Sequence, residues 1–210
     1  MEIRDAVAGD AAAACEVLRR SISELCVADH GNDATILAKW LSNKTPEIVG
    51  SWIAQPGNSM LVAVEGGTIL GVGSVTDKGE INLNYVSPDA RFRGVSRALM
   101  AALEARAMER GIVQCTLIST ETARRFYLSA GYTEDCPPIC KFGTRGSYPM
   151  SKRLAVPESR SATAGAGNER STTMSHFIEG GSPVVPTDQD AHDEDAAWID
   201  PRRTRPGCGS

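Results

Sequence analysis

Hydrophobic residues in the first quarter of the chain recur at the spacing of a helix. After a short strand predicted at residues 3–6, Asp10 is a candidate N-cap, and apolar positions follow every three to four residues as far as Cys26. This pattern predicts one amphipathic helix that ends near Ala28. The next segments are predicted as a break at 29–32 and two shorter helices at 34–41 and 46–53.

The hydrophobic period then changes to that of strands. Two β-rich runs, 60–65 and 68–76, flank Gly66 and Gly67, which is the pattern of a two-residue hairpin. The later predicted elements are a strand at 80–86, a helix at 95–110, a strand at 112–118, a helix at 122–129, and strands near Lys141 and at 148–154. This order predicts a mixed α/β (α+β) fold, with helices on both faces of one sheet.

Composition divides the chain into two regions. Residues 1–154 carry 17 basic and 17 acidic side chains, so the net charge of −4 belongs to residues 155–210. In that second region 22 of 56 residues are Gly, Pro, Ser or Thr, and large apolar residues are too few to offset the entropy of ordering. We therefore expect a folded domain over 1–154 and a disordered tail over 155–210.

Charge and composition also exclude several classes of protein. With 22 basic and 26 acidic residues, the chain lacks the basic domain that a nucleic-acid binder needs. It has no apolar stretch near the ~20 residues of a membrane span and no signal peptide, so we expect a cytoplasmic protein with no membrane partner. Its histidines and cysteines are scattered, and Cys136 and Cys140 are expected as two free thiols, so no metal site is predicted.

Polar residues alternate along the predicted strand 80–86. Regular alternation places Glu80, Asn82 and Asn84 on one face and the apolar residues between them on the other. A polar face on a central strand requires a cavity, water or partner groups, whereas an edge strand could expose it to solvent. The strand is therefore a candidate wall of a binding site.

A loop with two arginines and a glycine links this strand to the next predicted helix. The free N–H groups of a helix start, aligned with the helix dipole, form an anion site, and Gly94 allows a phosphate to approach the backbone. The glycine patterns of dinucleotide and nucleoside triphosphate sites are not present. Arg91, Arg93 and Arg97 are candidates for phosphate contacts, and a solvated basic face is the alternative.

Two motifs resemble the acetyl-CoA signatures of the GNAT N-acetyltransferase superfamily. The family patterns Q/R-x-x-G-x-G/A and N-x-x-A-x-x-F/L-Y-x-x-x-G-F/Y are matched by Arg91-x-x-Gly94-x-Ser96 and by Thr120-x-x-Ala123-x-x-Phe126-Tyr127-x-x-x-Gly131-Tyr132. Ser96 and Thr120 depart from the usual residues. The resemblance covers roughly 2–154, is specific from 80 to 132, and implies a mostly antiparallel sheet of six to seven strands with helices on both faces.

The resemblance implies acetyl-CoA as co-substrate. In the family, the pyrophosphate sits on loop amides and the pantetheine arm lies along the preceding strand, here at the backbone of Tyr85 and Val86. The cofactor-binding residues expected from this likeness are Tyr85, Val86, Arg91, Phe92, Arg93, Gly94, Val95, Ser96 and Arg97.

The resemblance also implies catalytic roles. The N–H of Val86 corresponds to the family's oxyanion donor, Tyr127 to its general acid, and Glu80 to the strand glutamate that serves as base in histone-acetylating members. Each side chain has a structural alternative, because Tyr127 could be a core aromatic and Glu80 could form an ion pair.

The predicted activity is the transfer of an acetyl group from acetyl-CoA to a primary amine of a small molecule or peptide by direct attack. Candidate acceptor contacts are Asn82, Asn84, Asp29 and His30. The alternatives are a non-catalytic module that binds or senses acyl-CoA, and a subunit that acts through its tail. Family members often pair, so a homodimer is compatible with the resemblance, and the identity of the acceptor stays open.

Overall fold

The computed structural model describes residues 1–139 and 146–155, which contain seven strands and six α-helices. The strands are β1 (Glu2–Asp5), β2 (Asn58–Glu65), β3 (Thr68–Thr76), β4 (Ile81–Val86), β5 (Gln114–Thr120), β6 (Thr133–Glu134) and β7 (Ser147–Arg153). The helices are α1 (Ala11–Arg20), α2 (Val27–His30), α3 (Ala34–Leu41), α4 (Pro46–Ala54), α5 (Val95–Glu109) and α6 (Glu121–Ser129). The predicted strand near Lys141, Cys140 and the predicted tail beyond Ala155 lie outside the described residues.

The strands form two antiparallel sheets that meet at one place. The first sheet has the order β1-β2-β3-β4 and the second the order β5-β7-β6. In the described chain a single parallel bridge, between Glu80 and Thr116, joins them. The expected mixed, mostly antiparallel fold of six to seven strands is therefore confirmed, and the two sheets separate beyond the bridge.

Helices cover both faces of the first sheet. On one face α5 packs over β3, with Val95, Leu99 and Leu103 fully buried. On the other face α1 and α4 pack around Leu18 and Val49. Helices on both faces were predicted from the order of elements, and this prediction is confirmed.

Two glycines of β3 bring α5 close to the sheet. A Cβ atom on Gly71 would lie 2.7 Å from Val95 Cγ1 and 2.9 Å from Leu99 Cδ1, and one on Gly73 would lie 2.9 Å from Leu103 Cδ1. These distances are shorter than van der Waals contact, so larger residues would displace the helix. The glycines thus fix the position of the N-terminus of α5.

The first helical region differs from its prediction. The α-helix ends at Arg20 and continues as a π-helical turn over Ser21–Leu25, and α2 follows. Asp10 does not cap α1, because its carboxylate accepts hydrogen bonds from Arg4 and from the Val7 N–H instead. The prediction of one continuous helix to Ala28 with an Asp10 cap is therefore wrong.

Other boundaries agree more closely with the pattern. The helices predicted at 34–41 and 46–53 and the hairpin at Gly66-Gly67 are confirmed. The break was predicted to begin at residue 29, but Asp29 and His30 are the last residues of α2. The break begins instead at Gly31, which is left-handed. The two-residue strand β6 was not predicted. No helix in residues 1–139 or 146–155 is long and apolar enough to cross a bilayer.

Candidate active site

A β-bulge in β4 shapes one wall of the site. Ser74 pairs with Leu83 and Val75 with Ile81, so Asn82 is an extra residue opposite β3. As a result Ile81 packs in the core beneath α5, whereas Leu83 packs on the opposite face against α1. The prediction that Ile81, Leu83 and Tyr85 share one face holds for Leu83 and Tyr85 and is wrong for Ile81.

The backbone of β4 has a free edge where the two sheets separate. The Ser87 N–H donates to the Leu70 carbonyl at 2.8 Å, and Val86 lies opposite Gly71. Bonded and non-bonded pairs alternate in an antiparallel ladder, so the N–H and C=O of Val86 point away from β3, as do those of Asn84. Tyr85, between them, directs its own backbone groups toward β3. The free edge therefore belongs to Asn84 and Val86.

The loop after β4 presents backbone amides to the same gap. Phe92 and Gly94 both have positive φ, at 63° and 79°, which turns the chain sharply into α5. No side chain caps this helix. Its first intrahelical donor is Ala98, which bonds the Gly94 carbonyl at 3.0 Å, so the N–H groups of Val95, Ser96 and Arg97 point out of the helix end. The expected anion site therefore coincides with amides that have no partner within the helix.

The arginines of the loop differ in direction. Arg91 and Arg97 line the gap between the sheets, and the Arg91 guanidinium stacks 4.5 Å from the ring centre of Phe92. Phe92 itself is 91% exposed. Arg93 instead forms an ion pair with Glu65 at the end of β2. Two of the three predicted phosphate-binding side chains therefore face the gap, and Arg93 offers only its amide.

Tyr127 on α6 closes the gap from the side of the second sheet. The residue is 8% exposed and its ring makes edge contacts with Phe126 and Tyr132, at centroid distances of 5.2 and 5.8 Å. Burial raises the pKa of the Tyr127 hydroxyl to about 12, and a hydrogen bond with the Asn84 side chain acts in the opposite direction. Tyr127 is both a core aromatic and a wall of the gap, so its two interpretations are compatible.

Together these elements enclose a cleft of about 510 Å³. Most of the predicted site residues line it, namely Asn82, Asn84, Tyr85, Val86, Arg91, Phe92, Gly94, Val95, Ser96, Arg97 and Tyr127. Glu80, Asp29, His30 and the Arg93 side chain do not. The cleft thus connects the free amides of α5 with the β4 edge and with Tyr127.

Glu80 lies at the closed end of the gap. It forms the bridge to Thr116, and its N–H donates to the Thr76 hydroxyl at 3.2 Å. The side chain is half-buried and outside the lining of the cleft. Its position supports a structural role in joining the sheets, and its role as a base stays a prediction.

Asp29 and His30, predicted as acceptor contacts, are buried, at 1% and 2% exposure, and do not line the cleft. The Asp29 carboxylate accepts the Glu121 N–H at 2.7 Å and the Thr122 hydroxyl at 2.5 Å. Burial raises the pKa of Asp29, and these hydrogen bonds oppose that shift. Asp29 therefore caps α6, the helix that carries Tyr127.

Several lining residues were given no site role from the sequence, although Thr120 and Phe126 belong to the second motif. They come from the π-helical turn and its end, from β5 and from α6: Ser21, Leu25, Cys26, Ile118, Thr120, Thr122 and Phe126. Cys26 is the last apolar position of the first helical pattern, and burial raises the pKa of its thiol to about 12. Helical periodicity gave no sign of the π-turn that directs these side chains to the cleft. In residues 1–139 and 146–155 no cluster of His, Cys, Asp or Glu is placed to hold a metal ion.

Solved structures share this arrangement of elements. A GCN5-related N-acetyltransferase from Rhodopseudomonas palustris superposes with a TM-score of 0.65 at 24% identity, over 73% of this chain and 95% of its own. PaiA N-acetyltransferase from Thermoplasma acidophilum, in complex with coenzyme A, gives 0.63 at 19% identity, over 73% and 98%. YncA from Salmonella typhimurium, with acetyl-CoA, gives 0.58 at 22% identity, over 78% and 98%. At these identities the likeness establishes the fold.

Family membership rests on a separate comparison. No curated protein matches the sequence. The family model described as an acetyltransferase (GNAT) domain matches residues 26–154, more than half of the chain. This segment contains β4, the loop 87–94, α5 and Tyr127. The chain therefore belongs to the GNAT acetyltransferase family.

Proposed function

We propose that this protein transfers an acetyl group from acetyl-CoA to a primary amine. The observation that carries the proposal is the continuity of the cleft, which runs from the unpaired amides at the start of α5, along the free edge of β4, to the Tyr127 hydroxyl. An acyl-CoA offers matching groups in the same order, since a diphosphate is followed by an amide-bearing arm and a thioester.

The cofactor contacts follow from these groups. The diphosphate would bind the amides of residues 93–97, with Arg91 and Arg97 supplying positive charge. The pantetheine arm would lie along the edge groups of Asn84 and Val86, with the Tyr85 side chain in the cleft wall. Complexes of PaiA with coenzyme A and of YncA with acetyl-CoA support acetyl-CoA as the co-substrate.

The reaction would proceed by direct attack of the amine on the thioester. The N–H of Val86 points into the gap, so it can donate to the carbonyl oxygen as negative charge develops there. Tyr127 is protonated at neutral pH and can donate its proton to the departing thiolate. A thiolate whose acid has a pKa of about 8.5 leaves fairly well unaided, so this protonation is a moderate contribution.

The general base is a separate question. A base role for Glu80 rests on the resemblance to histone-acetylating members alone, because the side chain does not line the cleft. An alkylamine with a pKa of about 10.4 is free base in only ~1 part in 2,500 at pH 7, so loss of its proton is the larger task.

Two measurements test the proposal. Acetyl-CoA at ~100 times its dissociation constant should stabilise the fold by about 2.7 kcal/mol, visible as a rise in melting temperature. Thiol release in the presence of a panel of amines should then show turnover. Binding without turnover for any amine would favour the alternative, a module that senses acyl-CoA. Absence of both binding and turnover would exclude the two interpretations together.

A further inference from the structure

One aromatic side chain at the mouth of the cleft is almost fully exposed. Phe92 lines the cleft, yet 91% of its surface is accessible to solvent. The other aromatic residues of the described lining, Tyr85, Phe126 and Tyr127, are buried or partly buried. Phe92 belongs to none of the three hydrophobic clusters that the described residues form. Packing of the fold therefore does not account for this ring.

The backbone conformation at this position does not call for phenylalanine either. Phe92 has a φ of 63°, in the left-handed region. Glycine adopts this conformation freely, and asparagine adopts it at a lower cost than a bulky side chain does. At Gly94, where φ is 79°, the same loop has a glycine. The turn by itself would favour a small residue at position 92, so the ring requires another explanation.

One face of the Phe92 ring is already covered by a cation. The Arg91 guanidinium lies 4.5 Å from the ring centre, and both side chains are exposed. A planar guanidinium covers one face only, so the opposite face of the ring remains accessible to a ligand. Aromatic rings and guanidinium planes are the groups on which nucleotide bases stack in proteins. The Arg91–Phe92 pair thus offers a stacking surface at the cleft mouth.

The exposure of the lining residues gives the cleft a direction. Tyr127 is 8% exposed, Val86 is partly buried and Phe92 is 91% exposed, so Phe92 marks the outer end. With the thioester beside Val86 and the diphosphate on the amides of α5, the pantetheine arm points inward. The diphosphate of coenzyme A joins this arm to an adenosine, which must leave the amides on the outer side. Phe92 is three residues before Val95, so their Cα atoms lie no more than about 11 Å apart.

We propose that the adenine of acyl-CoA stacks on the ring of Phe92, with Arg91 on the other face of that ring. This inference rests on the proposed placement of acetyl-CoA in the cleft. It makes Phe92 a determinant of donor specificity, since a thioester on a nucleotide gains this contact and a thioester on phosphopantetheine alone does not. Because every base has a π-face, the ring responds to the presence of a base rather than to its hydrogen-bonding edge.

Two thioesters and one variant of the full chain test the proposal. Acetyl-CoA carries the base, whereas S-acetyl-4′-phosphopantetheine has the same arm and ends before the nucleoside. Phe92→Asn removes the ring and suits the positive φ. By calorimetric titration, Kd for acetyl-CoA should rise about 5- to 100-fold in Phe92→Asn, the range of base–aromatic stacking, whereas Kd for the shorter thioester should change less than about twofold.

Two further variants control for the ring and for the loss of an exposed side chain. Phe92→Trp keeps a stacking surface, so its Kd for acetyl-CoA should be within about threefold of the wild type or lower. Relative to the wild type, its fluorescence should change on addition of acetyl-CoA and not of the shorter thioester. Val113→Ala, which alters a 49% exposed residue outside the cleft lining, should leave both Kd values unchanged.

Stability and kinetics distinguish a ligand contact from a structural role. The free energy of unfolding of Phe92→Asn should equal or exceed that of the wild type, because the ring packs in no hydrophobic cluster of the described residues. The adenine is remote from the thioester, so the contact is the same in the ground state and the transition state. With an amine that is turned over, Phe92→Asn should therefore raise KM for acetyl-CoA and leave kcat unchanged.

The outcomes separate this inference from the proposed function. Equal Kd values for acetyl-CoA in Phe92→Asn and the wild type, or an equal loss for both thioesters, would overturn the inference and leave acetyl transfer intact. The expected change in Kd without turnover of any amine would support the stacking contact and overturn acetyl transfer. A wild-type chain that does not bind acetyl-CoA would overturn both.

Discussion

The Tyr127 hydroxyl is held protonated by its surroundings. The ring lies between Phe126 and Tyr132, and burial raises its pKa to about 12. A phenol with that pKa keeps its proton through the neutral and mildly alkaline range, so the donor form is present there, and the raised pKa also makes it a weaker acid than an exposed tyrosine. The Asn84 side chain limits this shift.

We expect Tyr127→Phe to lower kcat about 10- to 100-fold, toward the low end for acid catalysis, because a thiolate leaves fairly well unaided. Acetyl-CoA affinity should be unchanged, since the replacement removes only one oxygen from the lining of the cleft. Because the tyrosine pKa is about 12, the wild-type rate should show no alkaline loss from this group below about pH 10. Stopped-flow thiol release between pH 6 and 10 measures both effects. Full activity in Tyr127→Phe would remove the residue from the mechanism.

Glu80→Gln distinguishes a base from a structural residue. Since the side chain lies outside the cleft, we expect a pH–rate profile that matches the wild type and a rate within about threefold of it, unlike the 10²-fold or larger loss of a general base. Glu2→Gln, on the far edge strand β1, is the matched control. An alkaline displacement of the profile in Glu80→Gln alone would restore the base role that the resemblance implies.

At the level of single positions, the spacing of the motifs follows a strand-turn-helix unit, and the loop after β4 and Tyr127 both line the cleft. Their roles toward a cofactor stay predictions. The motifs did not reveal that Arg93 pairs with Glu65. Nor did they show that Asp29 binds α6, because both contacts join segments far apart in sequence. Periodicity carries information about local faces and none about such partners.

The position of α5 depends on two glycines in β3. Gly71 and Gly73 lie directly beneath the helix, and its N-terminus carries the amides of the candidate phosphate site. A change in the depth of this packing therefore moves the anion site relative to the β4 edge. We therefore expect packing and cofactor affinity to be coupled through α5.

Gly71→Ala should weaken both stability and cofactor binding. The new methyl group would meet Val95, Leu99 and the Tyr85 carbonyl oxygen at 2.7–3.0 Å, so we expect a loss of about 1–3 kcal/mol in the free energy of unfolding. Acetyl-CoA affinity should fall as α5 shifts. Gly9→Ala, whose Cβ meets nothing within 4 Å, is the control for chemical denaturation and calorimetric titration. If Gly71→Ala is destabilised but binds acetyl-CoA as tightly as the wild type, packing beneath α5 does not control cofactor affinity.

The cap on α6 gives a pH-dependent prediction. Asp29→Ala removes acceptors from the Glu121 N–H and the Thr122 hydroxyl and should cost about 1–2 kcal/mol of stability, whereas Asp29→Asn keeps one acceptor and should cost less. KM for the acceptor should not change, since the residue is buried. A selective rise in that KM would instead support the predicted substrate contact.

Burial raises the pKa of Asp29 in the folded state above its unfolded value of about 3.9. Its protonated form is therefore favoured by folding, and this contribution is present in full below pH ~3.9 and is lost as pH rises through the folded pKa. The free energy of unfolding of the wild type, relative to that of Asp29→Asn, should decline as pH rises from ~3.9 through the folded pKa of Asp29. Urea denaturation at several pH values measures it, and a difference that grows with pH would contradict the sign.

The elements that the sequence missed share a physical cause. The π-helical turn at Ser21–Leu25 and the bulge at Asn82 each insert one residue into a regular pattern, and side chains of ordinary propensity allow both. Such insertions are decided by tertiary packing, so periodicity predicts that a helix or strand forms but not which of its side chains face the cleft. Both irregularities border the cleft, where the inserted residue determines which side chains line it.

The described domain closes its own hydrophobic cores before Ala155. Leu154 is 7% exposed and its N–H bonds the Val113 carbonyl at 2.9 Å, which anchors β7 beside β5. We expect a chain that stops after Ala155 to keep acetyl-CoA affinity and turnover within about twofold of the full chain, because no described contact is removed. Calorimetric titration and thiol release on both forms test this. Loss of turnover with binding retained would favour an activity that depends on residues 156–210.

The two sheets share one bridge, and this has a consequence for the protein without its ligand. Beyond Glu80 and Thr116 the strands β4 and β5 diverge, so their backbones satisfy each other at a single pair in the described chain. With acetyl-CoA bound as proposed, its extended arm would complete the hydrogen bonding that neither strand can provide alone. We therefore expect the sheet to be more rigid with the cofactor than after its departure.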